Sequence, residues 1–64
     1  VARYTEALPI LAVLINAFPD DMDCNRLLGF CYIQLGDKQR GIPYLEKAAT
    51  MGDNNAATLL ERYK

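Results

Sequence analysis

The strongest constraint on this chain is an internal repeat with an offset of 34 residues. Residues 7–14 and 41–48 match at five positions, namely Ala7/Gly41, Leu8/Ile42, Pro9/Pro43, Leu11/Leu45 and Leu14/Ala48. The proline match is the most informative of these, because proline is rare inside an apolar, helix-like run. Self-similarity at such a period is typical of repeat proteins, in which one supersecondary unit recurs along the chain.

The hydrophobic spacing predicts four helices and no strands. Apolar residues recur every three or four positions, which is the period of an amphipathic helix. The predicted helices cover residues 4–18, Met22–Leu35, Arg40–Met51 and 55–64, and the middle two form one helical hairpin over 21–51. Because proline does least harm in the first turn of a helix, we expect the first helix to begin near Glu6, shortly before Pro9. The predicted fold class is all-α.

Polar turns separate these helices and carry the residues that start and stop them. Asp20 or Asp21 is suited to cap the second helix, since a short carboxylate accepts hydrogen bonds from the first free amides. Gly36 is suited to a left-handed helix stop, and Asp37 follows it near the next helix start. The turn between the second and third helices is therefore predicted at 36–38.

The second helix has apolar residues on two opposite faces, and only one of them is explained by the hairpin itself. Gly29 lies at the edge of the inner stripe, where the absence of a side chain allows close approach of a neighbouring helix. Phe30 and Ile33 point roughly the opposite way. Two interpretations remain open: this face packs on a third helix of the same chain, or it is a surface for a partner.

The hairpin resembles a tetratricopeptide repeat. The leucine-glycine-x-x-tyrosine signature of that family matches Leu28, Gly29 and Tyr32. In the following helix the small, large and small residues of the family match Gly41, Leu45 and Ala48. The match departs from the family pattern at Asn25, which stands at the usual tryptophan, and around Asp53, where the usual proline is replaced. After Asn55 the register also fails, because Glu61 and Arg62 stand where leucines are expected.

The resemblance implies a short right-handed solenoid of antiparallel helical hairpins. Residues 1–64 would form one domain, with 4–18 as the second helix of a partial repeat, 21–51 as a full hairpin and 55–64 as a terminal or capping helix. The family binds extended peptides or helices in a concave groove. Carried over to this chain, the groove residues would be Asp23, Arg26, Phe30, Ile33 and Gln34, with Asn54 and Asn55 at the junction.

The first helix is apolar on nearly all sides, so we expect part of it to need a cover. A solenoid unit does not bury its hydrophobic face alone. We expect this chain to leave the face of Ala7, Leu11 and Leu14 uncovered, and another chain or a segment outside this sequence to cover it. Leu8 and Leu14 are the residues of this helix that we expect to contact a partner. The sequence thus favours a protein-interaction module, an adaptor or small chaperone that holds an apolar peptide or helix. The alternative is a structural unit that forms a dimer or stacked array through this helix.

Composition argues against other classes of function. With seven basic and eight acidic residues the net charge is −1, so we expect no nucleic-acid partner. No apolar run approaches the roughly 20 residues that span a bilayer. The chain lacks histidine, and Cys24 and Cys31 lie about 10 Å apart along one helix, too far for a disulfide. We therefore expect no catalysis, no cofactor and no metal, and a reducing, cytoplasmic location.

Overall fold

The computed structural model describes residues 2–64, with side chains from Arg3 onward. Over that range it contains four helices and no strand: α1 (Ala2–Ala17), α2 (Met22–Gln34), α3 (Lys38–Thr50) and α4 (Asn54–Tyr63). The predicted all-α class is confirmed, and the helix bounds differ from the predicted ones by one or two residues at most ends. Within residues 2–64, none of the helices has the length and apolar character needed to cross a membrane.

The start of α1 is the clearest difference from the sequence-based expectation. The helix begins at Ala2 rather than near Glu6, which places Pro9 in its interior. An interior proline costs a helix about 3 kcal/mol, because it lacks the N–H of the regular hydrogen bond. The extra turns gain tertiary contacts in return: Tyr4 packs against the core and its ring meets the edge of Phe30. Packing outweighs local propensity at this end.

The turns after α2 and α3 are built in the same way. Gly36 and Gly52 both have positive φ angles, 89° and 104°, which favour glycine. In each turn the following aspartate, Asp37 or Asp53, donates its amide to a carbonyl five residues earlier, which is the Schellman arrangement. Each aspartate then caps the next helix with its side chain. The predicted left-handed stop at Gly36 is confirmed.

Two clusters of buried side chains form the core. The first lies between α1 and α2 and consists of Leu11, Leu28 and Cys31. The second joins α3 and α4 and consists of Leu45, Ala48 and Ala56. Helix α2 packs most extensively on α3, and consecutive helices contact each other, with a smaller contact between α2 and α4. This last contact brings the start of α4 beside the outer face of α2.

The uncovered face of α1 agrees with the predicted one at Leu14 but not at Ala7 and Leu11. Leu11 is buried and Ala7 is half-buried against α2, so most of the face that was expected to be uncovered is covered by this chain. The side chains that remain exposed follow each other at the spacing i, i+3, i+4 and i+7. They are Ile10, Val13, Leu14 and Ala17, which we name the α1 outer stripe. Compared with the expected orientation, α1 is rotated about its own axis, and the packing of Tyr4 and Leu11 against α2 accounts for this rotation.

Candidate functional site

Leu27 and Phe30 form an apolar ridge between two open pockets. The α1–α2 pocket, of about 390 Å³, is lined by Arg3, Tyr4, Ala7, Ile10, Leu11, Leu27, Phe30 and Cys31. The α2–α4 pocket, of about 290 Å³, is lined by Arg26, Leu27, Phe30, Asn55 and Leu59. Because both pockets share the ridge, they form one continuous surface across α1, α2 and α4. We name this surface the Phe30 groove.

The ridge is held in place while leaving apolar surface open to solvent. The rings of Tyr4 and Phe30 meet edge to face, with centroids 5.7 Å apart and an interplanar angle of 72°. This geometry is the favoured one for aromatic pairs and adds about 0.5–1.5 kcal/mol to the burial of the rings. Leu27, one helical turn before Phe30, is 44% exposed although it is a large apolar residue. The Phe30 groove therefore contains an apolar ridge that is held in a defined position.

Arg26, which lines the α2–α4 pocket, forms an ion pair with the buried Asp53. Arg26 Nη1 donates to Asp53 Oδ2 at 2.7 Å, and the Asp53 side chain is almost completely buried. The other carboxylate oxygen of Asp53 accepts from the amides of Asn55 and Ala56 at 2.9 and 3.2 Å. Burial acts to raise the pKa of Asp53, but the Ala56 amide and the Arg26 guanidinium outweigh it and hold that pKa below its usual range. The pair ties α2 to the start of α4.

The polar residues of the groove are mostly engaged within the chain. Asp23 is exposed and lies 3.1 Å from the Arg26 guanidinium, so Arg26 is shared between two carboxylates. Desolvation acts to lower the pKa of Arg26, and the hydrogen bonds and charges of Asp53 and Asp23 raise it on balance. Arg26 is thus a positioned cation rather than a free one. Asn55 lines the pocket, and Asn54 is exposed beside it.

Two of the predicted groove residues serve the interior of the chain. The expectation that Ile33 faces away from the core is wrong, because its side chain packs against the cluster of Leu45, Ala48 and Ala56. Gln34 donates from Nε2 to the hydroxyl of Tyr63 at 3.2 Å and so links α2 to α4. A third helix of the same chain therefore covers this half of the α2 face. Contact of either residue with a partner stays a prediction.

The two predicted residues of the first helix have different environments. Leu8 is half-buried and packs against the cluster of Leu11, Leu28 and Cys31. Leu14 is exposed and belongs to the α1 outer stripe. The structure thus brings Arg26, Phe30 and Asn55 together at one pocket and leaves Leu14 on a separate surface.

Several groove residues were absent from the sequence-based prediction. Leu27 was omitted, although it lies three positions before Phe30 and residues at that spacing are neighbours on a helix surface. Leu59 and Ile10 depend on how α4 and α1 pack on α2, which no local pattern reports. The role of Asp53 had a local signal: Gly52-Asp53 repeats the Gly36-Asp37 pair that stops one helix and caps the next.

Asn25 holds the α1–α2 turn. It is fully buried and donates from Nδ2 to the carbonyl oxygens of Pro19 and Asp21 at 3.1 and 2.8 Å. Lys47 donates to the same Pro19 carbonyl at 2.6 Å, which ties the turn to α3. These bonds fix the angle at which α1 meets α2, and hence the shape of the groove.

The two cysteines are free thiols with different surroundings. Cys31 is buried and lines the α1–α2 pocket, and its burial raises the pKa of the thiol. Cys24 is half-buried, and desolvation together with the nearby Asp21 carboxylate raises its pKa as well. Among residues 2–64, no three histidine, cysteine, aspartate or glutamate side chains form a group suited to hold a metal ion.

No protein-family model, no curated protein and no solved structure matches this chain.

Proposed function

We propose that this chain is a tetratricopeptide-like helical-repeat module that binds a partner protein and has no catalytic activity. In this proposal, an apolar peptide or amphipathic helix of the partner lies in the Phe30 groove. The module acts as an adaptor or a small chaperone. The observation that carries the proposal is the Leu27–Phe30 ridge, an apolar surface partly open to solvent between two pockets.

The repeat assignment is supported by the contact between α2 and α3. Gly29 and Gly41, two of the positions that carry the family resemblance, lie where the backbones of the two helices approach each other closely. The aspartate caps at Asp37 and Asp53 give successive helices similar turns. Both features are what a stacked array of helical hairpins requires.

The groove has the composition of a helix-in-groove recognition site. Such sites bind the apolar face of an amphipathic helix, with anchors spaced three or four residues apart. The pockets on either side of the ridge suit two such anchors. Burial of the apolar ridge by a bound segment would contribute about 25 cal/mol of binding free energy per Å² of surface removed from water. Asp23 and Asn55 at the rim offer polar groups that orient the bound segment.

Selection of peptides from a random displayed library tests this function. Affinities of the selected peptides are measured by fluorescence anisotropy for the native chain and for Leu27→Gln. Because Leu27 is already partly exposed, the substitution spares the core, and we expect it to weaken binding about tenfold, equivalent to 1.4 kcal/mol. The matched control is Val13→Gln, an exposed apolar residue that lines neither pocket. The proposal is contradicted if every selected peptide binds the native chain and Leu27→Gln with the same affinity.

A further inference from the structure

We propose that two copies of this chain pair through the α1 outer stripe, with their α1 helices antiparallel about a two-fold axis. The stripe is the part of α1 that this chain does not cover. In the part of the chain that the structure describes, α1 packs only against α2. Ile10 is 62% exposed and Val13 is 68% exposed, values far from those of core residues. Their spacing is that of a helix–helix seam.

Charge favours a second copy in the antiparallel orientation. Arg3 lies at one end of the stripe and forms no ion pair with any residue from 2 to 64. Asp20 lies just beyond the other end, with a side chain that is 87% exposed. Its contact with Lys47, at 3.3 Å, is an exposed pair that leaves the carboxylate accessible. An antiparallel pair sets each Arg3 near the Asp20 of the other copy, whereas a parallel pair sets like charges together.

The helix ends point to the same orientation. The N-terminus of a helix carries partial positive charge and the C-terminus partial negative charge. Two antiparallel α1 helices place each of these ends beside its opposite. In the register that sets Arg3 opposite Asp20, Ile10 of one copy lies opposite Val13 of the other. The surface is then self-complementary, as a two-fold interface requires.

The size of the stripe sets the strength of the pairing. A standard interface takes about 800 Å² from each partner, which is about a fifth of the 4218 Å² surface of this chain. A stripe of four side chains on one helix is smaller than that. The dimer is therefore weak and depends on concentration. The stripe adjoins the Phe30 groove at Ile10, which lines the α1–α2 pocket, whereas Val13, Leu14 and Ala17 line neither pocket.

Sedimentation equilibrium of the full chain, from about 10 μM to about 1 mM, tests the proposal. We expect a monomer–dimer equilibrium that Val13→Glu shifts to monomer, raising the dissociation constant at least about tenfold. The matched control is Ala57→Glu, an exposed substitution on α4 that leaves association unchanged. Circular dichroism confirms that both variants keep their helices. A chain that stays monomeric throughout, or an oligomer that is insensitive to Val13→Glu, overturns the proposal.

Charge reversal tests the orientation separately. Arg3→Glu weakens the dimer, and the double variant Arg3→Glu/Asp20→Lys restores it, because each pair is re-formed with exchanged signs. A double variant that is weaker than Arg3→Glu alone overturns the antiparallel arrangement. Binding of groove peptides by Val13→Glu is measured in parallel, so that failure of the dimer and failure of the groove are distinguished.

Discussion

Gly29 and Gly41 face each other at a close approach of α2 and α3. A Cβ atom on Gly29 would lie 2.8 Å from the carbonyl oxygen of Gly41, and one on Gly41 would lie 2.5 Å from the carbonyl oxygen of Gly29. Backbone lies against backbone at this point, so neither neighbour has a flexible end that can move aside. The hairpin therefore depends on the absence of both side chains.

Alanine at Gly29 should destabilise the chain, although alanine normally favours a helix by up to about 1 kcal/mol over glycine. We expect a loss of about 1–3 kcal/mol from overpacking. Urea unfolding followed by circular dichroism measures it. The control is Gly36→Ala, where a Cβ meets no atom within 4 Å and only the positive φ is strained, at about 1–2 kcal/mol. A Gly29→Ala variant as stable as the native chain contradicts the close packing.

The Arg26–Asp53 pair predicts a graded effect of substitutions at Asp53. Asparagine keeps the helix cap but removes the charge, and we expect a loss of about 1.5–3 kcal/mol, typical of hydrogen bonds to charged groups. Alanine removes the cap as well and should cost about 1 kcal/mol more. Thermal unfolding of both variants measures the two contributions. Equal stability of the two variants would show that the side chain of Asp53 does not cap α4.

The same pair predicts a loss of stability in acid. The pKa of Asp53 is lower in the folded chain than the ordinary value of about 3.9, so its contribution is complete well above that pH. It is lost as the pH falls through the lower pKa of the folded state, where the carboxylate takes up a proton. Urea midpoints between about pH 7 and about pH 2 should therefore fall more for the native chain than for Asp53→Asn. If the urea midpoints of the two proteins fell by the same amount with pH, Asp53 would not be the source of the acid sensitivity.

The raised pKa of Cys24 predicts slow alkylation of its thiol. At a pH near 8 less thiolate is present than for a free cysteine, because desolvation and the Asp21 carboxylate disfavour the anion. Asp21→Asn keeps a helix cap and removes the charge, so Cys24 should react faster in that variant. Mass spectrometry after timed reaction with iodoacetamide measures each site. Cys31 is buried and serves as the internal reference; an unchanged rate at Cys24 would contradict the charge effect.

The features that were predictable from the sequence are those with local causes. The four helices follow from hydrophobic spacing, and the turn at Gly36-Asp37 follows from residue types that stop and cap a helix. The close approach at Gly29 followed from its place beside the apolar stripe. Each of these depends on residues within a few positions of one another.

The features that were missed depend on tertiary packing. Arg26 and Asp53 are 27 residues apart, and their pairing depends on where α4 begins relative to α2. The extension of α1 back to Ala2 depends on contacts of Tyr4 with another helix. The rotation of α1 that buries Leu11 has the same origin. The role of Leu27 in the ridge of the Phe30 groove depends on how α1 and α4 pack on either side of α2.

The most direct test of the proposed groove is a nuclear magnetic resonance titration of the ¹⁵N-labelled chain with a selected apolar peptide. We expect the largest amide shift changes at Leu27, Phe30, Asn55 and Leu59, with little change on α3. Changes concentrated on α3, or on the α1 outer stripe without the ridge, would contradict the assignment of the Phe30 groove as the binding site.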